Sequence, residues 1–267
     1  MTPVQHSDFI RFSLDLAAAA DAAILPLFRS GLAVDNKRKA GFDPVTAADR
    51  ASEEAMRALI EEAFPQHGIL GEEFGAKQAS DPDGLTWVLD PIDGTRAFIC
   101  GLPTWMTLIG LCDRSRAIAG CASQAYTGER FFAGGNGSWH RDRTGRETRL
   151  EVRPAASIEE AIFCSTSPDL FGGRLEQPFH SLRSRVRMAR FGGDAYLFCL
   201  LAAGSIDIVI DPGLQAYDIA ALVPIIEQAG GVVTTLDGAS AHEGGDIVAA
   251  ASSELHEAVC NMFASPA

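Results

Sequence analysis

Positive charge is scarce in this chain: 22 Lys and Arg stand against 35 Asp and Glu, a net charge of −13. Nucleic-acid binding depends on Lys and Arg replacing the phosphates' counterions, so the charge argues against a nucleic-acid partner. CxxC pairs are also absent. The six cysteines (Cys100, Cys112, Cys121, Cys164, Cys199 and Cys260) fall mostly in apolar runs. They read as reduced, buried small hydrophobes, not as disulfides or a zinc site. Residues 1–9 lack the basic stretch and apolar core of a signal peptide. The apolar run 14–27 is broken by Asp15 and Asp21, which makes it a poor membrane span. The chain has no internal repeat and no low-complexity segment. These absences lead to the expectation of a cytoplasmic enzyme without nucleic-acid or membrane partners.

What is present is the balance of an ordinary globular protein, 47% apolar and 21% charged. At 267 residues the chain holds one large α/β domain or two lobes sharing a core. A helix is expected over residues 7–28, with Phe9, Ser13, Leu16, Ala20, Ala23 and Leu27 on one face. A second is expected over 46–64. There Thr46 and Asp49 resemble a capping box with Asp in place of Glu, Ala48, Ala51, Ala55 and Leu59 form a stripe, and Pro65 closes the helix. Short apolar runs follow at 69–70 and 86–89. The runs 108–112, 118–126 and 130–133, with turns at 113–116 and 127–129, predict antiparallel hairpins. The polar stretch 140–153 marks a boundary between lobes 1–150 and 151–267. Beyond it, strands at 161–165, 206–210, 232–236 and 247–251 alternate with helices at 194–203, 217–229 and 253–263. This pattern predicts α/β architecture with mixed sheets.

The segment Trp87-Val-Leu-Asp-Pro-Ile-Asp-Gly-Thr95 carries the most chemistry. An apolar strand ends at Asp90, and a tight turn returns Asp93 beside it. Pro91 fixes its own φ, and Gly94 frees the backbone where it passes close to a ligand. A helix starting at Gly94 or Thr95 would aim free N–H groups at the space between the carboxylates, which suits a phosphate. Alone, such a segment also reads as a surface turn. Gly71-Glu-Glu73 follows another apolar run, although by itself it is an ordinary solvated charge pair. Asp218 and Asp49 stand in the first turns of their helices, where capping is the simplest role. Together these carboxylates form the all-oxygen set expected for magnesium, not zinc. Bound cations would also let an acidic protein hold an anionic phosphate.

Other phosphatase chemistries fail on named residues. An aspartyl-nucleophile enzyme of D-x-D-G-T type needs its nucleophile where Pro91 stands. No cysteine is followed at the sixth position by Arg, and an Arg-His-Gly near the start is missing. What remains is attack by a water that metal ions activate.

Asp43-Pro-Val-Thr-Ala-Ala-Asp49, Gly71-Glu-Glu73, Asp90-Pro-Ile-Asp-Gly-Thr95, Tyr217-Asp-Ile-Ala-Ala221 and the later Gly230-Gly231 occur in this order along the chain. In this the sequence resembles the inositol-monophosphatase superfamily of lithium-sensitive, magnesium-dependent phosphatases. The family signature usually has Trp where Tyr217 stands. The resemblance implies a layered αβαβα sandwich, commonly paired as a homodimer, acting on a small phosphate ester with two or three Mg2+ per site. It implies that Glu72, Asp90 and the Ile92 carbonyl hold one magnesium, and Asp90, Asp93 and Asp218 a second. It further implies that Gly94 and Thr95 N–H groups bind phosphate. The Thr95 hydroxyl, paired with Asp49, would help Glu72 orient and deprotonate the attacking water.

Arg96-Ala-Phe98, Gly101-Leu-Pro-Thr-Trp105 and Arg190-Phe-Gly-Gly-Asp-Ala-Tyr196 resemble the histidinol-phosphate phosphatase branch, which implies a step of histidine biosynthesis. In inositol-type members a small residue tends to stand where Asp194 falls. A carboxylate there suits the amine or imidazolium of histidinol phosphate. Asp194 could equally cap the helix that begins there. Asp211 is a second candidate substrate carboxylate, Arg96 lies beside the turn, and Trp105 could stack on a ring or be a core residue. The alternative activities are a broad inositol monophosphatase and a 3′-phosphonucleotide phosphatase. A catalytically silent relative is disfavoured because every proposed ligand is present.

Overall fold

The computed structural model of the protein describes residues 3–31, 35–36, 44–153 and 157–264, so Asp43 of the first matched segment lies outside the described residues. The first elements are α1 (Pro3–Ile24), β1 (Asp35–Asn36), β2 (Pro44–Val45), α2 (Ala47–Ala63), β3 (Gly68–Gly71), β4 (Gly75–Lys77), β5 (Thr86–Asp93) and α3 (Thr95–Ile99). β6 (Met106–Cys112), β7 (Ala117–Gln124), β8 (Glu129–Ala133), β9 (Ser138–Arg141), β10 (Glu147–Arg149), β11 (Ile162–Ser165), α4 (Glu176–Arg185) and β12 (Met188–Phe191) follow. The chain continues with α5 (Asp194–Ala202), β13 (Ile208–Gln215), α6 (Ala216–Ile219), α7 (Leu222–Gln228), β14 (Val232–Thr235), β15 (Gly244–Ala250) and α8 (Ser253–Ala264).

The larger sheet has eight strands in the order β10-β9-β8-β7-β6-β5-β3-β4, and the smaller has five in the order β12-β11-β13-β15-β14. The central strands of the larger sheet are covered on both faces, which is why they read as continuous apolar runs. On β6, Ile109 and Leu111 enter a cluster with Leu16, Ala20 and Ile24 of α1 and Met56 and Ile60 of α2. Met106 and Leu108 point the opposite way, into a cluster with Phe198 of α5, Ile219 of α6 and Ile225 of α7. A third cluster, with Phe179 of α4, Ile208 of β13 and Phe263 of α8, fills the far side of the smaller sheet. The layers are therefore α1/α2, larger sheet, α5–α7, smaller sheet and α4/α8, an αβαβα sandwich.

Several expected elements differ. The first helix stops at Ile24, two residues before Pro26, whose ring and missing N–H oppose a continuing helix. The helix expected over 217–229 is two helices. Pro224 cannot donate to the carbonyl of Ala220, and α6 gives way to α7 at residues 220–221. That break sits against Gly110 and Gly120, which pair across β6 and β7. A Cβ on Gly120 would lie 1.9 Å from the Ala221 carbonyl oxygen, so only glycine admits the backbone there. The stretch 140–153 contains the β9–β10 hairpin. α4 gave no sequence signal because only Pro178, Phe179 and Leu182 of its ten residues are buried. Among the cysteines, Cys100 is exposed and Cys260 half-buried, while the other four are buried. Among the described residues no helix is long and apolar enough to cross a membrane.

Candidate metal and phosphate centre

β3 and β5 are parallel neighbours, with Gly71 opposite Leu89, so their carboxyl ends leave the sheet side by side. Open α/β sheets bind ligands at such ends. Here the first residue beyond β3 is Glu72, whose N–H donates to the Leu89 carbonyl at 3.2 Å, beside Asp90. The expected end of the strand at Asp90 is replaced by a bulge. β5 runs on to Asp93, but Asp90 pairs with Leu108 and Asp93 with Met106, one extra residue on the β5 side. In a regular strand residues 90 and 93 face opposite sides, and one inserted residue restores them to the same side. The Thr107 hydroxyl donates to the Pro91 carbonyl at 2.8 Å and the Ile92 N–H to Asp90 Oδ1 at 3.0 Å, which pins the bulge.

Two helix starts add carboxylates by the same device. At α2, Asp49 is the third helical residue of a capping box: its Oδ2 accepts from Thr46 N–H at 2.8 Å and from the Thr46 hydroxyl at 2.6 Å. At α6, Asp218 closes a capping box with Gln215, accepting from its N–H at 2.7 Å. One oxygen from each of Asp90, Asp93 and Asp218 lies within 4.8 Å of the others. Asp90 is also within hydrogen-bonding reach of Glu72 and of Asp218.

The electrostatics of this cluster are those of like charges held together. Burial first, then Glu72, Asp93 and Asp218, push Asp90 well above the usual carboxylate range. Burial first, then Asp194 and Asp218, do the same for Asp93. Burial lifts Asp218 to about 7, despite its bond from Gln215. Asp49 is raised by burial, with Glu72 adding to the effect. A convergent, all-oxygen set of mutually repelling carboxylates fits a hard divalent cation such as magnesium, which would relieve the repulsion.

The phosphate side is built from backbone. Gly94 caps α3 with φ 80°, and Thr95 opens the helix. The first N–H groups of a helix have no partner inside it. The start of α5 also faces this site, since Ala195 N–H donates to Asp93 Oδ2 at 2.7 Å. Asp194 does not cap α5: Gly193 is the capping residue and no side-chain cap bond is made. Asp194 instead takes the left-handed φ of 46°, uncommon outside glycine. Its carboxylate is so close to Gly94 that a Cβ there would lie 2.9 Å from Asp194 Oδ2. Burial raises Asp194 to about 6, against the opposing pull of the exposed Arg96.

Two expectations change, and of the two roles open to Trp105 the structure selects the core one. Thr95 and Asp49 are not hydrogen-bonded, because the Thr95 hydroxyl donates to the Ile92 carbonyl at 3.0 Å and Asp49 Oδ2 serves Thr46. The other oxygen, Asp49 Oδ1, is buried without a partner. Asp211 is 1% exposed, and both its oxygens are taken by Ser165 and Thr166 beyond the end of β11. It is a brace between β11 and β13, not a surface for substrate. Trp105 is fully buried, edge-on to Phe28 and Phe98 at 5.4 and 5.3 Å, and is a core residue. Sequence reasoning missed Glu53, which is also fully buried beside the site. Its only signal was the four-residue spacing from Asp49, which puts both on one face of α2.

The family model of the inositol monophosphatase family matches residues 5–265. The chain is similar to the histidinol-phosphatase of Mycobacterium tuberculosis, 36% identical over 92% of this chain and 94% of that one. It is similar at 36% identity to the chloroplastic bifunctional phosphatase IMPL2 of Arabidopsis thaliana, over 91% of this chain and 71% of that one. Among solved structures, an inositol monophosphatase from Zymomonas mobilis superposes with a TM-score of 0.83 at 37% identity, covering 97% of this chain and 98% of that one.

Proposed function

The chain belongs to the inositol monophosphatase family and is a phosphoric monoester hydrolase, and from that premise we propose that it hydrolyses histidinol phosphate to histidinol. In this reading Glu72, Asp90, Asp93, Asp218 and the Ile92 carbonyl hold magnesium, and the two lobes, 1–150 and 151–267, contribute the ligands from opposite sides. Magnesium, when bound there, neutralises charge on the ester and lowers the pKa of a water. The protein's own residues do the rest. Gly94 and Thr95 N–H groups hold the phosphate oxygens, with the α3 and α5 starts adding their dipoles. Glu72, flanked by the unpartnered Asp49 Oδ1, takes the proton of the attacking water, and Thr95 helps to orient that water. Water adds to phosphorus, the bond from phosphorus to the histidinol oxygen breaks, and that oxygen takes a proton from solvent while Glu72 gives back to solvent the proton it took. Pairing into a homodimer belongs to the same proposal and is checked by light scattering of the purified protein.

The observation that carries the substrate assignment is Asp194. It is a carboxylate placed against Gly94 at the edge of the phosphate cradle, in a backbone conformation that capping does not require. Histidinol phosphate brings an ammonium and an imidazole to that edge, while an inositol phosphate brings hydroxyls. A charge-assisted bond there is worth ~1.5–3 kcal/mol, roughly 10- to 150-fold in discrimination. Arg96 favours the second reading, a broad inositol monophosphatase, because it already offers Asp194 a positive partner. The test is phosphate release from both esters by wild type and Asp194→Asn. The variant should weaken histidinol phosphate selectively. Equal losses, or a wild-type preference for inositol 1-phosphate, would overturn the assignment.

A further inference from the structure

We propose that Glu53 is a positioning residue for Glu72: its buried carboxylate holds the turn on which Glu72 is presented to magnesium. The proposal rests on the reading of Glu72 as a metal ligand.

Glu53 lies four residues after Asp49 on α2 and is fully buried. Glu53 Oε2 accepts from Glu73 N–H at 2.7 Å, and Oε1 from Phe74 N–H at 3.2 Å. These are the two residues after Glu72, in the turn between β3 and β4. Arg57, one helical turn further on, donates its Nε to Glu53 Oε1 at 2.7 Å and reaches the Gly75 carbonyl with Nη2. One carboxylate and one guanidinium thus fasten residues 73–75 to α2, while the Glu72 N–H is fastened to Leu89 of β5. The residue before the turn confirms how close the approach is. A Cβ on Gly71 would lie 1.9 Å from Glu53 Oε1 and 2.3 Å from its Cδ, so Gly71 leaves room that only this carboxylate fills. A solvated glutamate on a helix surface does none of this. The geometry makes α2 a two-pronged support, with Asp49 facing Glu72 electrostatically and Glu53 clamping the backbone that follows it.

Glu53→Gln keeps the size but replaces one acceptor oxygen with a donor amide, which cannot accept from both turn amides and Arg57. Two readouts are followed on the intact protein: hydrogen exchange of the Glu73 and Phe74 amides in chelator, and the magnesium concentration giving half of the metal-induced rise in melting temperature. Exchange should accelerate, and the half-point should rise by ~10- to 100-fold, the usual cost of losing a group that orients a metal ligand. At saturating magnesium the KM for the phosphate ester should stay within about twofold, since Glu53 does not face the phosphate side. Arg57→Gln should give smaller shifts in the same direction, and it takes the place of Glu53→Gln if that variant does not fold. Glu72→Gln is the reference. A Glu53 or Arg57 variant with unchanged exchange, or with faster exchange and an unmoved half-point while Glu72→Gln moves it, overturns the positioning role. An unmoved half-point for Glu72→Gln as well overturns the ligand reading and the proposal with it.

Discussion

Two helix starts in this molecule are built alike and stand in different places. Thr46 with Asp49 opens α2, and Gln215 with Asp218 opens α6, each a capping box closed by an aspartate at the third helical position. Asp218 shares the cluster with Asp90 and Asp93, whereas Asp49 stands beside Glu72 with one oxygen free of partners. Capping and site chemistry are therefore not rival explanations of these residues. A carboxylate has two oxygens, and a cap that fixes one of them aims the other. The difference lies in what the sheet delivers opposite each helix. The bulge of β5 meets α6, and the turn after β3 meets α2.

That comparison breaks first at the carboxylates themselves. Asp218→Asn keeps an oxygen for the Gln215 N–H but removes the charge facing Asp90 and Asp93. Turnover should fall by on the order of 100-fold, about 2.7 kcal/mol in the barrier, while melting in chelator at about pH 8 should rise, because a buried, repelled charge is gone. Asp49→Asn, the same substitution at the other box, should cost roughly tenfold, because Asp49 stands beside the proposed ligand Glu72 and not within the cluster. Equal losses in steady-state turnover would erase the distinction.

A pH series sharpens it. Burial lifts Asp218 to about 7 and Asp211 to about 6. A carboxyl raised on folding binds its proton more tightly in the folded state. Its contribution is greatest at acid pH and is lost as pH climbs from about 4 towards the folded pKa. The chelated protein should therefore melt at lower temperature at about pH 8 than at about pH 5. Magnesium should cancel the part due to Asp218 and reduce less the part due to Asp211, whose oxygens already accept from Ser165 and Thr166. A melting temperature in chelator that rises across this range would reverse the sign and remove the argument. The smallest effect belongs to the cap alone. Thr46→Ala removes the hydroxyl that Ala48 N–H uses at 3.1 Å and that donates to Asp49 Oδ2, but keeps the backbone N–H that holds Asp49; it should cost ~1 kcal/mol, read in urea unfolding, with turnover near wild type.

Much of this was legible in the sequence where one physical signal dominated. β6, β7 and β8 fall within two residues of their apolar runs, because strands covered on both faces are mostly apolar. The capping box at Thr46 was readable because it is a local motif. The joint in residues 216–228 was hidden because Pro224 acts four residues upstream, at Ala220, and because its seat on Gly110 and Gly120 is long-range. The buried face of α2 was misjudged for a similar reason. Of the expected stripe only Ala48 is buried, and Ala51, Ala55 and Leu59 are half-buried, while Asp49, Ser52 and Glu53 are buried with Met56 and Ile60. A helix that borders a site buries its polar side, and hydrophobic periodicity does not record that. The return of Asp93 beside Asp90 was foreseen as a tight turn and is achieved by a bulge, since both devices restore one face.

Cation-dependent hydrolysis carried by the three aspartates is the central proposal. The direct measurement is phosphate release from histidinol phosphate by wild type and Asp93→Asn, first in excess chelator and then as magnesium is titrated in. Wild type should be silent in chelator and recover with magnesium, and Asp93→Asn should remain on the order of 100-fold slower at saturating metal. Full activity in excess chelator, or an Asp93→Asn variant as fast as wild type, would contradict it.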